Sequence, residues 1–139
     1  MAGILERRPL ESMIHLLCDT HIFLWLATGQ LHRIRRKTLE LLRDFDNPCY
    51  LSVVSVVESE IKMAIGKLNF FHDWEIARAK NSCLWLNYES RHALALRNLP
   101  LIHRDPFDRM LAAQALAEDF TLVTADESLL AYPIKILRA

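Results

Sequence analysis

The stretch Met13-Ile14-His15-Leu16-Leu17-Cys18-Asp19-Thr20-His21-Ile22-Phe23-Leu24-Trp25 changes character at Asp19. Before it, residues 14–18 form a short apolar run that reads as a buried strand; after it, residues 21–28 read as a short helix ending near Gly29. An acid standing where strand gives way to helix recurs three more times. Glu58 lies in Ser52-Val53-Val54-Ser55-Val56-Val57-Glu58-Ser59-Glu60-Ile61-Lys62, and Asp108 in His103-Arg104-Asp105-Pro106-Phe107-Asp108-Arg109. Asp126 closes Phe120-Thr121-Leu122-Val123-Thr124-Ala125-Asp126.

Outward from these junctions, strand-like and helix-like stretches alternate. Residues 33–45 carry Ile34, Leu41, Leu42 and Phe45 at helical spacing, with Arg33, Arg35, Arg36 and Lys37 clustered at the start. Asn47-Pro48 marks a turn before a strand over residues 49–53. Ser55 is expected to open the next helix, with Glu58 three residues on, and Gly66 to close it. Residues 72–81 read as helix, 83–88 as strand and 89–97 as helix. Residues 106–119 read as a long helix capped by Asp105 with Pro106 at its first position. Residues 121–124 and 134–137 are strands, with a short helix after Asp126. Such alternation implies right-handed crossovers and a single-domain, three-layer α/β/α fold around a parallel sheet of about five strands. In such sheets ligands bind beyond the carboxyl ends of the strands, where strand order reverses. Asp19 and Asp126 both fall just past such ends.

The bulk composition sets limits on function. A chain of 139 residues is one ordinary domain, and 52% hydrophobic with 24% charged residues is the profile of a packed protein. The formal net charge is zero, so no global field draws nucleic acid or anionic membrane, and any nucleic-acid contact must come from local basic patches. Cys18, Cys49 and Cys83 show no CxxC spacing and read as small buried hydrophobes in a reducing cytoplasm. No apolar run reaches the roughly 18 to 20 residues that span a bilayer. Residues 1–12, interrupted by Glu6, Arg7, Arg8 and Glu11, do not read as a secretory signal. They are expected to be a disordered extension or an upstream start, with the domain over 13–139.

Each acid has a purely structural explanation. Ser55-Val56-Val57-Glu58 matches a capping box, Asp105 and Asp108 match a cap plus a first-turn acid, and Asp19 and Asp126 each precede a helix they could cap. Together they say more, because a parallel α/β fold aims its strand-to-helix junctions at one edge of the sheet. Two carboxylates about 4 Å apart repel by roughly 4 kcal/mol at an effective dielectric near 20, so a four-acid cluster would hold protons, bases or a divalent cation. Mg²⁺ uses one or two carboxylates directly and keeps several waters, which leaves further acids to orient water or hold a second ion.

Four stretches carry a family likeness: Leu17 to Trp25, Ser52 to Leu68, His103 to Ala115, and Leu122 to Asp126. In these motifs the chain resembles the PIN-domain family, in particular the VapC-type toxins of bacterial and archaeal toxin–antitoxin pairs. The resemblance implies a Mg²⁺- or Mn²⁺-dependent endoribonuclease acting on structured RNA such as tRNA. Carried over by motif, Asp19, Glu58, Asp108 and Asp126 form the acidic site, with Asp19 and Asp108 as foremost metal ligands. Asp105 is then helix cap first and outer acid second, and Thr20 and Thr124 add hydroxyl contacts. His103, Arg104 and Arg109 flank the site and either hold RNA phosphates or pair with the acids. Val57 departs from the tryptophan that many relatives carry before the glutamate. The resemblance also implies an antitoxin partner received near the helices around 21–28 and 55–68, and a homodimer.

Two readings of the basic cluster at 33–37 stand side by side: an RNA-contacting stripe and a solvated helix face. Trp25, Trp74, Trp85, Phe70 and Phe71 read as core or interface residues. The rival functions are a PIN-like RNA- or protein-binding module without turnover, and a DNA- or flap-directed nuclease. The chain lacks the large insertions that would thread single strands for the latter. A phosphoryl-accepting aspartate switch would need one singled-out aspartate with a lysine beside it, and neither stands out.

Overall fold

A computed structural model describes residues 13–70, 72–102 and 105–139. Five strands, β1 (Leu16–Cys18), β2 (Cys49–Ser52), β3 (Cys83–Leu86), β4 (Thr121–Thr124) and β5 (Lys135–Arg138), form one sheet of order β3-β2-β1-β4-β5. Every pairing is parallel. From β1 the chain moves outward to β2 and β3 on one side, then crosses back to place β4 and β5 on the other. Strand order therefore reverses between β1 and β4, and the Asp19 N–H joins the two by donating to the Val123 carbonyl at 3.0 Å.

The helices are α1 (Thr20–Ala27), α2 (Arg36–Arg43), α3 (Val53–Ala64), α4 (Trp74–Lys80), α5 (Ser90–Ala95) and α6 (Pro106–Glu118). Alternation along the short strands sorts the core into two layers. Leu16, Cys18, Leu51 and Val123 join Ile22, Phe23, Leu42 and Ala77 from α1, α2 and α4. Leu17 and Leu122 join Leu111, Ala112 and Ala95 from α5 and α6 on the other face. Both faces are thus covered, which is why these strands read as continuous apolar runs. Helix α3 gives Val54 to one layer and Met63 to the other.

The three cysteines are free and buried, as expected of small hydrophobes. Their Sγ atoms stand in a row, Cys18 to Cys49 at 3.4 Å and Cys49 to Cys83 at 3.5 Å. The Cys49 contact and burial push the Cys83 thiol far above its ordinary pKa. Among the described residues no helix is long and apolar enough to cross a membrane. Residues 1–12, Phe71, His103 and Arg104 lie outside the described residues.

Two local expectations are corrected. Helix α3 does not start at Ser55: Ser52 is its cap, accepting from the Val54 N–H at 3.0 Å, and no Ser55–Glu58 capping box forms. Val53, which read as the end of the strand, belongs to the helix, because β2 ends at Ser52 and the buried side of the next turns is Val54, Ser55, Glu58 and Ser59. Tertiary burial overrides β-branched propensity here. The segment predicted as one helix over 33–45 is a 3-10 turn (Leu31–Arg33) followed by α2. Ile34 between them is extended and buried, since its side chain fills the core.

Ser52 also donates to the Gln114 Oε1 at 2.5 Å, tying the start of α3 to the middle of α6, with both residues fully buried. Ser52→Ala removes the cap and leaves a buried amide oxygen without its donor. The expected loss in urea unfolding is roughly 2–4 kcal/mol; a loss below about 0.5 kcal/mol would show that this junction does not depend on Ser52.

Candidate active site

Asp19 stands at the carboxyl end of β1, where strand order reverses. Its extended backbone makes it the cap of α1, and its Oδ1 accepts from the Ile22 N–H at 2.9 Å. Its Oδ2 accepts from the Thr124 hydroxyl, at the end of β4, at 2.5 Å. Only 5% of Asp19 is exposed. Burial raises its pKa above the ordinary carboxylate range; the Thr124 and Ile22 hydrogen bonds and the charge of His21 oppose this, and the charge of Glu58 adds to it. Glu58 therefore lies near enough to act on Asp19.

Glu58 lies in the middle of α3 with 2% exposed. Its Oε1 accepts from the Thr20 hydroxyl at 2.7 Å, and the Ser55 hydroxyl lies 3.0 Å from the same Thr20 oxygen. Its Oε2 accepts from Lys62 Nζ at 2.5 Å, one helical turn on. Lys62 is held well protonated, first by the Glu58 hydrogen bond and then by the charges of Glu58, Asp105 and Asp108. One ammonium thus links the buried glutamate of α3 to the acids that open α6.

Asp105 caps α6, accepting from the Phe107 N–H at 2.9 Å and the Asp108 N–H at 3.3 Å, with Pro106 at the first helical position. Asp108 falls in that first turn. The Asp126 N–H donates to Thr124 Oγ1 at 3.0 Å, so Thr124 connects it to Asp19. The Asp126 carboxylate caps the 3-10 turn Glu127–Ala131, accepting from the Ser128 N–H at 2.9 Å and hydroxyl at 2.6 Å.

Thus Asp19 with Thr124, and Glu58 with Thr20, are held by direct hydrogen bonds, Asp126 is tied to Thr124 through its backbone, and Asp105 and Asp108 lie near enough for their charges to act on Lys62. Arg109 donates to the Pro100 carbonyl at 3.0 Å and to the Tyr132 hydroxyl at 3.3 Å, which bonds it to the loop before α6. His103 and Arg104 are outside the described residues. Lys62 is the member that reading the sequence missed. Its signal was the i,i+4 spacing from Glu58, a standard helical ion pair, obscured by the expectation that Glu58 was a cap. A cavity of about 800 Å³ opens at the other end of the sheet, lined by Leu42, Asn47, Cys49, Lys80 and Leu84, and contains none of the predicted acids.

A family model described as PIN domain matches residues 16–135. The chain belongs to the PIN domain family. Among solved structures it is similar to a chain of VapBC2 from Rickettsia felis bound to a DNA fragment from their promoter, at 17% identity and a TM-score of 0.64, covering 90% of this chain and 98% of that one. It is also similar to a chain of DNA-bound VapBC from Salmonella typhimurium, at 16% identity and a TM-score of 0.59, covering 91% and 98%. A chain of FitAB bound to an IR36 DNA fragment matches at 16% identity and a TM-score of 0.52, covering 88% and 94%. At these identities the likeness is one of fold. No curated protein matches the sequence.

Among the described residues, no three histidine, cysteine, aspartate or glutamate side chains form a group spaced to hold a metal ion. The donor chemistry nevertheless fits a hard divalent cation: carboxylate and hydroxyl oxygens, two of the acids buried together, and a lysine ammonium among the charges of three acids. A buried aspartate with a raised pKa binds its proton more tightly in the folded protein than in the unfolded chain. Its contribution to stability is complete below the unfolded carboxylate pKa of about 3.9 and is lost as pH rises through the folded value. Asp19→Asn, which never ionises, is expected to raise the melting temperature of the metal-free protein near neutral pH, with the gain shrinking as pH falls toward about 4. A variant that melts lower than wild type at neutral pH would contradict this electrostatic account.

Proposed function

We propose that this chain is a metal-dependent endoribonuclease, the VapC-type toxin of a toxin–antitoxin pair, cutting phosphodiester bonds in structured RNA such as tRNA. The observation that carries the reading is the burial of Asp19 and Glu58 at the strand-order reversal, with Lys62 bonded to Glu58 and within the field of Asp105 and Asp108. Asp19, Glu58, Asp108 and Asp126 are the residues that would hold Mg²⁺ or Mn²⁺. When bound, that ion supplies Lewis-acid activation of water and stabilises charge on the phosphoryl group and leaving oxygen. The chain's own residues set the stage. Thr124 and the Ile22 N–H fix the orientation of Asp19, and Thr20 fixes Glu58. Lys62 supplies compensating charge, and burial of both acids keeps the surrounding dielectric low, which strengthens their hold on a cation. Arg109, with His103 and Arg104 beside it in sequence, completes the proposal as phosphate contacts.

The similar chains from VapBC and FitAB structures support a cognate antitoxin as partner. So does the exposed apolar stripe Val57, Ile61 and Ile65 along α3, a face suited to a protein, whether antitoxin or second copy. A second reading, a PIN-like binding module without turnover, is favoured by the lack of a ready three-donor group among the described residues.

Incubation of the protein with tRNA in Mn²⁺, in Mg²⁺ and in EDTA separates the two. The nuclease reading predicts metal-dependent cleavage at discrete positions, reduced roughly 100-fold or more by Asp19→Asn. RNA binding without cleavage at saturating Mn²⁺, or full activity of the Asp19 variant, would overturn it.

A further inference from the structure

We propose that the basic arm Arg33, Arg35, Arg36 and Lys37 is the track that holds the phosphates of an RNA strand as it leaves the carboxylate site. The inference rests on the nuclease reading above and names the surface by which that site recognises its substrate.

Three observations carry it. The first is position. The Thr38 hydroxyl, in the first turn of α2, donates to the Arg138 carbonyl at the carboxyl end of β5 at 2.6 Å. That bond ties the first turn of α2 to the carboxyl end of the sheet, the end at which Asp19 leaves β1.

The second is continuity. His21, whose charge acts on Asp19, packs against Trp25 one turn along α1 with ring centroids 6.2 Å apart. The Arg33 guanidinium lies over the same indole, 5.5 Å from its centroid. An imidazole, an indole and a guanidinium therefore lead from the acids to the arm. Cation–π contact holds Arg33 in place, so less side-chain freedom is lost when it meets a phosphate.

The third is unspent charge. Arg33, Arg35, Arg36 and Lys37 are all exposed. Among the described residues Arg33, Arg35 and Lys37 have no ion-pair partner, and Arg36 meets only the solvent-exposed Glu40. Lys62, Arg78, Arg91 and Arg138 are engaged with acids. What distinguishes the arm from other cations without an ion pair among the described residues, such as Arg43 and Lys80, is that its four lie within five consecutive positions. Fold stability does not account for the arrangement. Helix α2 starts with Arg36 and Lys37, has no acid in its first turn and no side-chain cap, so these cations sit at the positive end of the helix dipole, where they cost energy. An anion relieves that cost. An arginine stacked on the Trp25 indole, on the helix that follows Asp19, favours a nucleic-acid strand over an acidic protein as that anion.

The test is fluorescence anisotropy with a labelled oligouridylate of about 20 nucleotides and a tRNA, using the full chain carrying Asp19→Asn so that the probe stays intact. Arg33→Ala/Arg35→Ala/Lys37→Ala is compared with its parent and with Arg43→Ala/Lys80→Ala at the amino end of the sheet. Removing three phosphate contacts is expected to weaken binding by tenfold or more at about 100 mM salt and to flatten the log–log salt dependence by about 2. The amino-end variant should bind like the parent, and melting curves should show both variants folded. Folded triple variants with unchanged affinity and salt slope would overturn the track. So would loss of binding to polyglutamate alone, which would mark the arm as a site for an acidic protein. Wild-type cleavage of the same RNAs is followed in parallel. Cleavage without arm dependence refutes the track and leaves the nuclease reading standing. Arm-dependent binding without cleavage does the reverse.

Discussion

Two carboxylates buried beside one another, Asp19 and Glu58, are the constraint around which this end of the molecule is organised. Each is almost fully removed from water, and burial together with the charge of Glu58 raises the cost of ionising Asp19. Their neighbours are the groups such a pair requires. Thr124 and Ile22 satisfy Asp19, Thr20 satisfies one oxygen of Glu58, and Lys62 supplies positive charge to the other. The charges of Asp105 and Asp108 also act on Lys62. The oxygen-rich donor set is of the kind that hard divalent cations take, which is the basis of the function proposed above.

The sheet topology makes this arrangement possible. Because β1 is central and β4 returns to its other side, the ends of both strands meet at one point, and Thr124 reaches across to Asp19. The charge pattern follows the same polarity. The chain is neutral overall, yet an exposed cluster of cations begins α2, whose first turn is tied to the carboxyl end of β5. A globally basic protein would bind polyanions everywhere; a neutral one with a local track can direct a strand to one place.

The fold was legible because the signals were local and consistent: buried apolar runs of a few residues, Asp and Pro at helix starts, and strands alternating with helices. Asp19, Asp105 and Asp126 also act as the caps their positions suggested. Glu58 was harder. Its preceding Ser55 imitated a capping box, while the actual cap, Ser52, is marked only by where β2 runs out and by a bond to Gln114, 62 positions along the chain. Once Glu58 is seen as a mid-helix residue, Lys62 follows from spacing alone. The break between Arg33 and Arg36 was hidden for a similar reason, since helical spacing of Ile34 and Leu41 does not reveal that Ile34 is pulled into the core in an extended conformation.

The most direct measurement is anomalous diffraction at the manganese edge from crystals grown with Mn²⁺. The account predicts a peak among Asp19, Glu58 and Asp108, bound directly or through water, with Lys62 displaced from its bond to Glu58. Absence of manganese there, with Lys62 still seated on Glu58 at saturating Mn²⁺, would contradict it.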